Sequence, residues 1–192
     1  MLRILGVDPG TLRCGYALIE IDAACKPVSP RYLECGVIEL SASQAIETRL
    51  KNLAADLREV ITEFAPTELA LETAFAGINV YSALLLGQAR GVILLTAVEA
   101  GLGCWEYPPA TVKKTVCGNG RAQKSEVQRV VSWLCGLDSQ PPTDAADAVA
   151  IALCHAFRRP GYALRCDAPT GRTGGRPART RRKPAQQSPG QF

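Results

Sequence analysis

The first 40 residues hold three strand-length apolar runs separated by segments too short for anything but turns. Arg3 to Asp8 carries Ile4, Leu5 and Val7 and breaks at Pro9-Gly10; Gly15 to Ile21 is the second run and Tyr32 to Leu40 the third. Strands this close in sequence join as an antiparallel meander, because a parallel connection needs a crossover of a dozen or more residues. The pattern then changes period. Residues 44–64 place Ile46, Leu50, Leu53, Leu57 and Ile61 on one helical face, and Pro66 stops the helix. Glu68 to Glu72 reads as a short buried strand, 79–100 as a long helix, and Gly103 to Tyr107 as a fifth strand. Helical stretches at 109–116, 124–135 and 143–157 follow. Three strands, then alternating helix and strand, then helices imply an α/β sandwich around a mixed five-stranded sheet, its first three strands antiparallel.

Length fits this outline. The chain has 192 residues, enough for one domain with a sizeable core and an extension. We place the domain at 1–158 and a basic, Pro/Gly/Arg-rich disordered tail at 159–192, where apolar periodicity is lost. The tail carries eight basic residues, Arg159, Arg165, Arg172, Arg176, Arg179, Arg181, Arg182 and Lys183, against Asp167 alone. The other 158 residues hold 14 basic and 17 acidic groups, so the net charge of +4 is a mildly acidic body joined to a strongly basic end. Such an end points to polyanions. No stretch reaches the ~18 uninterrupted apolar residues of a spanning helix, and the N-terminus lacks the zones of a signal peptide, so a cytoplasmic protein with no membrane partner is expected. The eight cysteines form no CxxC or zinc-like pair and read as free, mostly buried thiols.

Four carboxylates stand where carboxylates are costly. Asp8 ends one apolar strand and Glu72 another; Asp144 and Asp147 lie early in an apolar helix, three residues apart and so on one face. Singly, each has an ordinary reading: Asp8 as a turn residue before Pro-Gly, Glu72 as a surface charge, the two aspartates as partners of the helix dipole behind an N-capping Thr143. Together they have a sharper one. Adjacent central strands would set Asp8 beside Glu72 at one sheet end, and a helix packed there would add both aspartates. Four like charges in a cleft call for a cation, and an all-oxygen set suits Mg²⁺ or Mn²⁺.

The runs ILGVDPGTLRCGYALI, LALETAFAGINVYSALLLGQARGV, VKKTVCGNGRAQKSEVQ and DAADAVAIA occur in this order over residues 1–157. As a set they resemble the RuvC family of Holliday-junction resolvases. The resemblance implies a ribonuclease H-like fold and a homodimer. It implies two Mg²⁺ per active site, with Mn²⁺ able to substitute, and Asp8, Glu72, Asp144 and Asp147 as catalytic metal ligands. The activity it implies is paired symmetric nicking of four-way junction DNA in recombination and repair, leaving 5′-phosphate and 3′-hydroxyl ends, in partnership with the RuvA and RuvB branch-migration complex. Lys113 and Lys124 match lysines that meet DNA or support catalysis; Lys114 stands beside them as a third candidate. Phe75 matches an aromatic that probes the opened junction, by stacking on or wedging between bases. Tyr81 is a weaker aromatic candidate. His155, the one histidine, reads as structural, with a catalytic assist as its other role. The helix over 79–101, with Leu84, Leu85, Leu86, Ile93, Leu94 and Leu95, carries more apolar surface than one flank of a sheet needs and is the expected dimer element.

Three rivals remain at this point. VDPGT followed by GYAL also resembles the phosphate hairpin of actin-like kinases and ATPases, which need two such domains. A non-catalytic junction-binding module would not need all four carboxylates. A ribonuclease H-like nuclease for another nucleic acid would not need the Phe75 loop.

Overall fold

The computed structural model describes residues 1–22, 29–73 and 79–159, and the backbone of 179–181. Phe75, Gly77, Cys25 and Cys166 lie outside these. The chain runs β1 (Leu2–Asp8), β2 (Arg13–Ile21), β3 (Arg31–Glu39), α1 (Ile46–Phe64), β4 (Glu68–Glu72), α2 (Val80–Glu99), β5 (Gly103–Tyr107), α3 (Pro109–Cys117), α4 (Lys124–Cys135), α5 (Thr143–Arg158) and β6 (Arg179–Arg181).

The sheet order is β5-β4-β1-β2-β3-β6. The β1–β2 and β2–β3 pairs are antiparallel, while β4 joins β1 and β5 joins β4 in parallel. The five strands expected from the sequence are thus present in a mixed sheet. The sixth is new: β6 pairs parallel with β3, Gly36 opposite Arg179 and Ile38 opposite Arg181, within the stretch where no regular structure was expected.

Strand side chains alternate between two faces, and each face has its own core. Leu5, Val7, Tyr16, Leu18, Ile38, Leu69 and Leu71 pack with Leu53, Leu57 and Val60 of α1 and Ala89, Ile93 and Ala97 of α2. Ile4, Ala17, Ile19, Val37 and Ala70 pack with α5 and with Val112, Val116, Val127 and Val131 of α3 and α4. Helix α5 is apolar on nearly every side because it lies between the sheet and α3–α4; Ala145, Ala146 and Ala148 through Ala156 are buried.

Two glycines let α5 sit this close. A Cβ on Gly6 would stand 2.3 Å from the carbonyl oxygen of Ala148, and one on Gly15 would stand 2.0 Å from that of Asp144. Only a residue without a side chain allows a helix backbone to rest on β1 and β2 there. The contact fixes both the height and the direction of α5 across the sheet.

One local expectation changes. Pro142, not Thr143, holds the N-cap position of α5 and no side chain caps it; Thr143 is the first helical residue, its hydroxyl 3.4 Å from Gln128 Nε2. Helix α1 ends at Phe64, as expected, two residues before Pro66, with Ala65 in the left-handed region (φ 45°) and its N–H on the Ile61 carbonyl. The six described cysteines are free; Cys14, Cys35, Cys135 and Cys154 are buried, and Cys104 and Cys117 half-buried.

Candidate active site

Asp8 and Glu72 are the last residues of two adjacent parallel strands. In register, Val7 stands opposite Leu71, so the next residues, Asp8 and Glu72, meet at one end of the sheet. By alternation from Gly6 and Ala70, both carboxylates face α5. Helix α5 begins at this end, its start resting on Gly15, which pairs with Asp8. Asp144 and Asp147 therefore arrive beside them.

Asp8 and Glu72 sense their neighbours. Asp8 is pushed up from 3.8 to about 8, first by burial and then by Glu72 and Asp147, with Lys124 opposing. Glu72 is raised by burial and then by Asp147, while Lys124 and Lys113 pull it down. Burial penalises each charge and like neighbours compound the penalty. The cluster carries more negative charge than its surroundings compensate.

Cations already answer part of that charge. Arg13 of β2 donates from Nε to Asp144 Oδ2 at 2.6 Å and lies 3.4 Å from Glu39. Lys124, at the start of α4, lies 3.1 Å from Asp147 Oδ2, and Asp147 is the main cause of its raised pKa. The two aspartates, three residues apart on one helix, are thus drawn to opposite sides of the site. As so arranged, no three Asp, Glu, His or Cys side chains among the described residues stand together as a ready-made cation cage.

The remaining candidates sort by position. Lys113, half-buried on α3, is close enough to act on Glu72; Lys114, its neighbour, is exposed. Tyr81 is 70% exposed in the first turn of α2. Phe75 lies outside the described residues.

His155 belongs elsewhere. It sits eight residues beyond Asp147 on α5, ~12 Å along the axis. Its Nε2 is 2.8 Å from Glu68 Oε2 and its Nδ1 2.6 Å from the Tyr107 hydroxyl; Trp105 stacks against it at 4.7 Å between centroids. Arg159 closes the group, 2.8 Å from Glu68 Oε1. Glu68 opens β4 as Glu72 closes it, so this network lies at the far end of the strand, ~13 Å away. Burial holds His155 below 6.5 despite the Glu68 carboxylate, so it is a neutral ring donating from Nε2 and accepting at Nδ1.

Two arginines carry local roles that the sequence did not single out. Arg13 positions Asp144. Arg90 of α2 donates to the main-chain carbonyl of Glu72 at 2.6 Å and pairs with Glu106, tying the end of β4 to α2 and β5. Both lie inside the matched motifs, but neither spacing nor composition marks them.

The family model described as "Crossover junction endodeoxyribonuclease RuvC" matches residues 4–155. The chain belongs to the RuvC family. Among its relatives, RuvC of Heliobacterium modesticaldum is 45% identical over 152 residues, covering 79% of this chain and 91% of the relative. RuvC of a Roseiflexus species is 42% identical over 159 residues, covering 82% and 92%. Among solved structures, Thermus thermophilus RuvC in complex with a Holliday junction substrate superposes with a TM-score of 0.74 at 34% identity, over 82% of this chain and 94% of that one. The yeast mitochondrial Holliday junction resolvase Ydc2, at 14% identity and a TM-score of 0.57 over 81% of this chain and 78% of its own, shares the fold. The mixed sheet flanked by helices is therefore the ribonuclease H-like fold of RuvC proteins.

Proposed function

We propose that this chain is a metal-dependent endonuclease that resolves four-way DNA junctions by paired symmetric nicks, leaving 5′-phosphate and 3′-hydroxyl ends, in recombination and repair. The observation that carries this reading is the meeting of Asp8 and Glu72 at one sheet end beneath the Asp144–Asp147 face of α5. The family supplies the class of reaction and of substrate.

Asp8, Glu72, Asp144 and Asp147 are the residues we assign to the metal. The donor set fits a hard divalent cation such as Mg²⁺, with Mn²⁺ as a substitute: every donor is an oxygen, and Asp8 and Glu72 are held above their ordinary range by burial and then by neighbouring like charge. When bound, a pair of such ions supplies an activated water for in-line attack and stabilisation of the leaving 3′ oxygen. The chain's own groups do the rest. Lys124 and Lys113 offset the charge that a phosphodiester brings to an acidic cleft. Arg90 keeps the end of β4, and so Glu72, in place. Phe75 and Lys114 complete the assigned DNA contacts, Phe75 at the opened centre of the junction.

Paired nicks on symmetric strands call for a two-fold dimer, and α2 is the surface for it. Its inner side, Ala89, Ile93, Thr96 and Ala97, is buried, yet Tyr81 (70%), Leu84 (63%), Leu95 (58%) and Val98 (62%) stand exposed. With Gln88 and Gly91 they fall at the alternating three- and four-residue spacing of a helix–helix seam. Leu84→Glu or Leu95→Glu then gives a monomer by light scattering at micromolar concentration. Leu94, which leans on the core, would report on folding instead. A cytoplasmic location and cooperation with RuvA and RuvB belong to the same reading.

The deciding test is a synthetic four-way junction, end-labelled on each strand and incubated with protein and Mg²⁺. Nicks at symmetry-related positions on two opposed strands are expected. Cutting of plain duplex at the same rate, or no cutting, would remove the proposal.

A further inference from the structure

Strand β3 would be the outer edge of the five-stranded sheet, with main-chain donors and acceptors open along one side, an arrangement proteins rarely leave uncovered. Here part of that edge is taken by the chain's own basic extension: Arg179, Thr180 and Arg181 pair in parallel with Gly36, Val37 and Ile38. The direction is informative. Strand β3 is antiparallel to β2, which is antiparallel to β1, so β3 and β6 both run toward the end where Asp8 sits. Three strand spacings separate β6 from β1, ~14 Å at about 4.8 Å each. Along a duplex that is about four base-pair steps of 3.4 Å. Arg13, with a side chain 52% exposed, stands on β2 between the two. Residues 159–192 carry net charge +7, while the rest of the chain is −3.

We propose that β6 is a docking strand that fixes the basic extension on the edge of β3, so that its Arg179–Arg181 segment forms a phosphate-binding track for a duplex arm beside the active site. A free polycation would also attract DNA. A docked one has its backbone anchored on the sheet beside β3 and loses less further chain entropy on binding. The proposal rests on the nuclease reading only for the identity of that phosphate; attraction to duplex DNA can be measured without cleavage.

Two full-chain variants of equal charge separate docking from charge alone. Arg181→Gln removes one charge and leaves the strand able to pair. Thr180→Pro with Arg181→Pro removes the same charge, and because successive strand N–H groups point to opposite sides, it also deletes whichever donor faces β3. Amide exchange at Gly36, Val37 and Ile38 and binding to a plain duplex across a salt series are read for both. Arg181→Gln is expected to keep the amides protected and to flatten the slope of log affinity against log salt by at most about 0.9. The double proline variant is expected to lose that protection, to flatten the slope further and to bind duplex several-fold more weakly than Arg181→Gln. Equal exchange in the two variants would show that β6 does not pair with β3. Unequal exchange with equal duplex binding would show a docked strand that is no DNA track. Junction cleavage by the same samples reports separately on the nuclease reading, since its failure would leave the duplex comparison unchanged.

Discussion

Strand β4 carries a glutamate at each end, and the two could hardly be treated more differently. Glu68 is 5% exposed and fully answered: His155 donates to one oxygen and Arg159 to the other. Glu72 is half-buried among carboxylates, raised above its usual range, with lysines offering only part of the missing charge. Both face α5, near opposite ends of that helix. At the far end of the sheet both oxygens of Glu68 are paired, while Nη1 of Arg159 stays buried without a partner; at the near end like charges remain crowded, as expected of the cation-binding centre we propose. Crowded like charges cost stability, and the pairing of Glu68 at the other end is one of the places that offsets it.

The largest expected effect tests the incomplete end. Asp8→Asn, Glu72→Gln, Asp144→Asn and Asp147→Asn should each lower junction cleavage by more than about a hundredfold, with junction binding retained or tightened as negative charge leaves the cleft. Near-normal cutting by any one would strike that residue from the metal set. Next comes the closed end. Glu68→Ala strands Arg159 and the His155 N–H, and unfolding by denaturant should show a loss of about 3 kcal/mol, with cleavage per folded molecule unchanged. A cleavage defect without loss of stability would mean that the two ends are coupled.

The ends should also respond to pH with opposite sign. Asp8 holds a proton up to about 8 when folded, against 3.8 unfolded. Without metal, the folded state therefore binds more protons between those values, and this group's contribution to stability falls as pH rises from about 4 to about 8. Asp8→Asn flattens that decline in thermal midpoint. His155 is depressed below 6.5, so here the unfolded chain binds the proton first and stability is lost as pH falls below 6.5. His155→Gln blunts the acid limb alone. The smallest effect concerns the lysines. Lys113→Ala and Lys124→Ala should lower cleavage about tenfold or more, whereas Lys114→Ala should change only the salt slope of binding, by at most about 0.9.

Much of this was readable before any coordinates. The meander of β1–β3, the strand at Glu68 and the helices of the second half followed from periodicity and from breakers such as Pro9-Gly10 and Pro66, because a two-residue or 3.6-residue repeat is a local property. The four carboxylates were visible because each interrupts an apolar run. What escaped was whatever depends on a partner distant in sequence. Arg13 lies 131 residues from Asp144; His155 lies 87 from Glu68. Thr143 looked like a cap, and β6 lay in a stretch whose composition gives no strand signal at all.

Sequence by itself determined the order and type of the main elements, the family, and the chemical character of the four acidic side chains. Only the tertiary structure decided which carboxylate is fully paired and which is left among like charges. Glu68 and Glu72 are identical side chains in one five-residue strand. They differ because α5 crosses the sheet on Gly6 and Gly15 at a fixed height, so that its start sets Asp144 and Asp147 beside Glu72 and its end sets His155 and Arg159 on Glu68. A charge is defined by what surrounds it, and those surroundings are assembled from residues up to 131 positions apart.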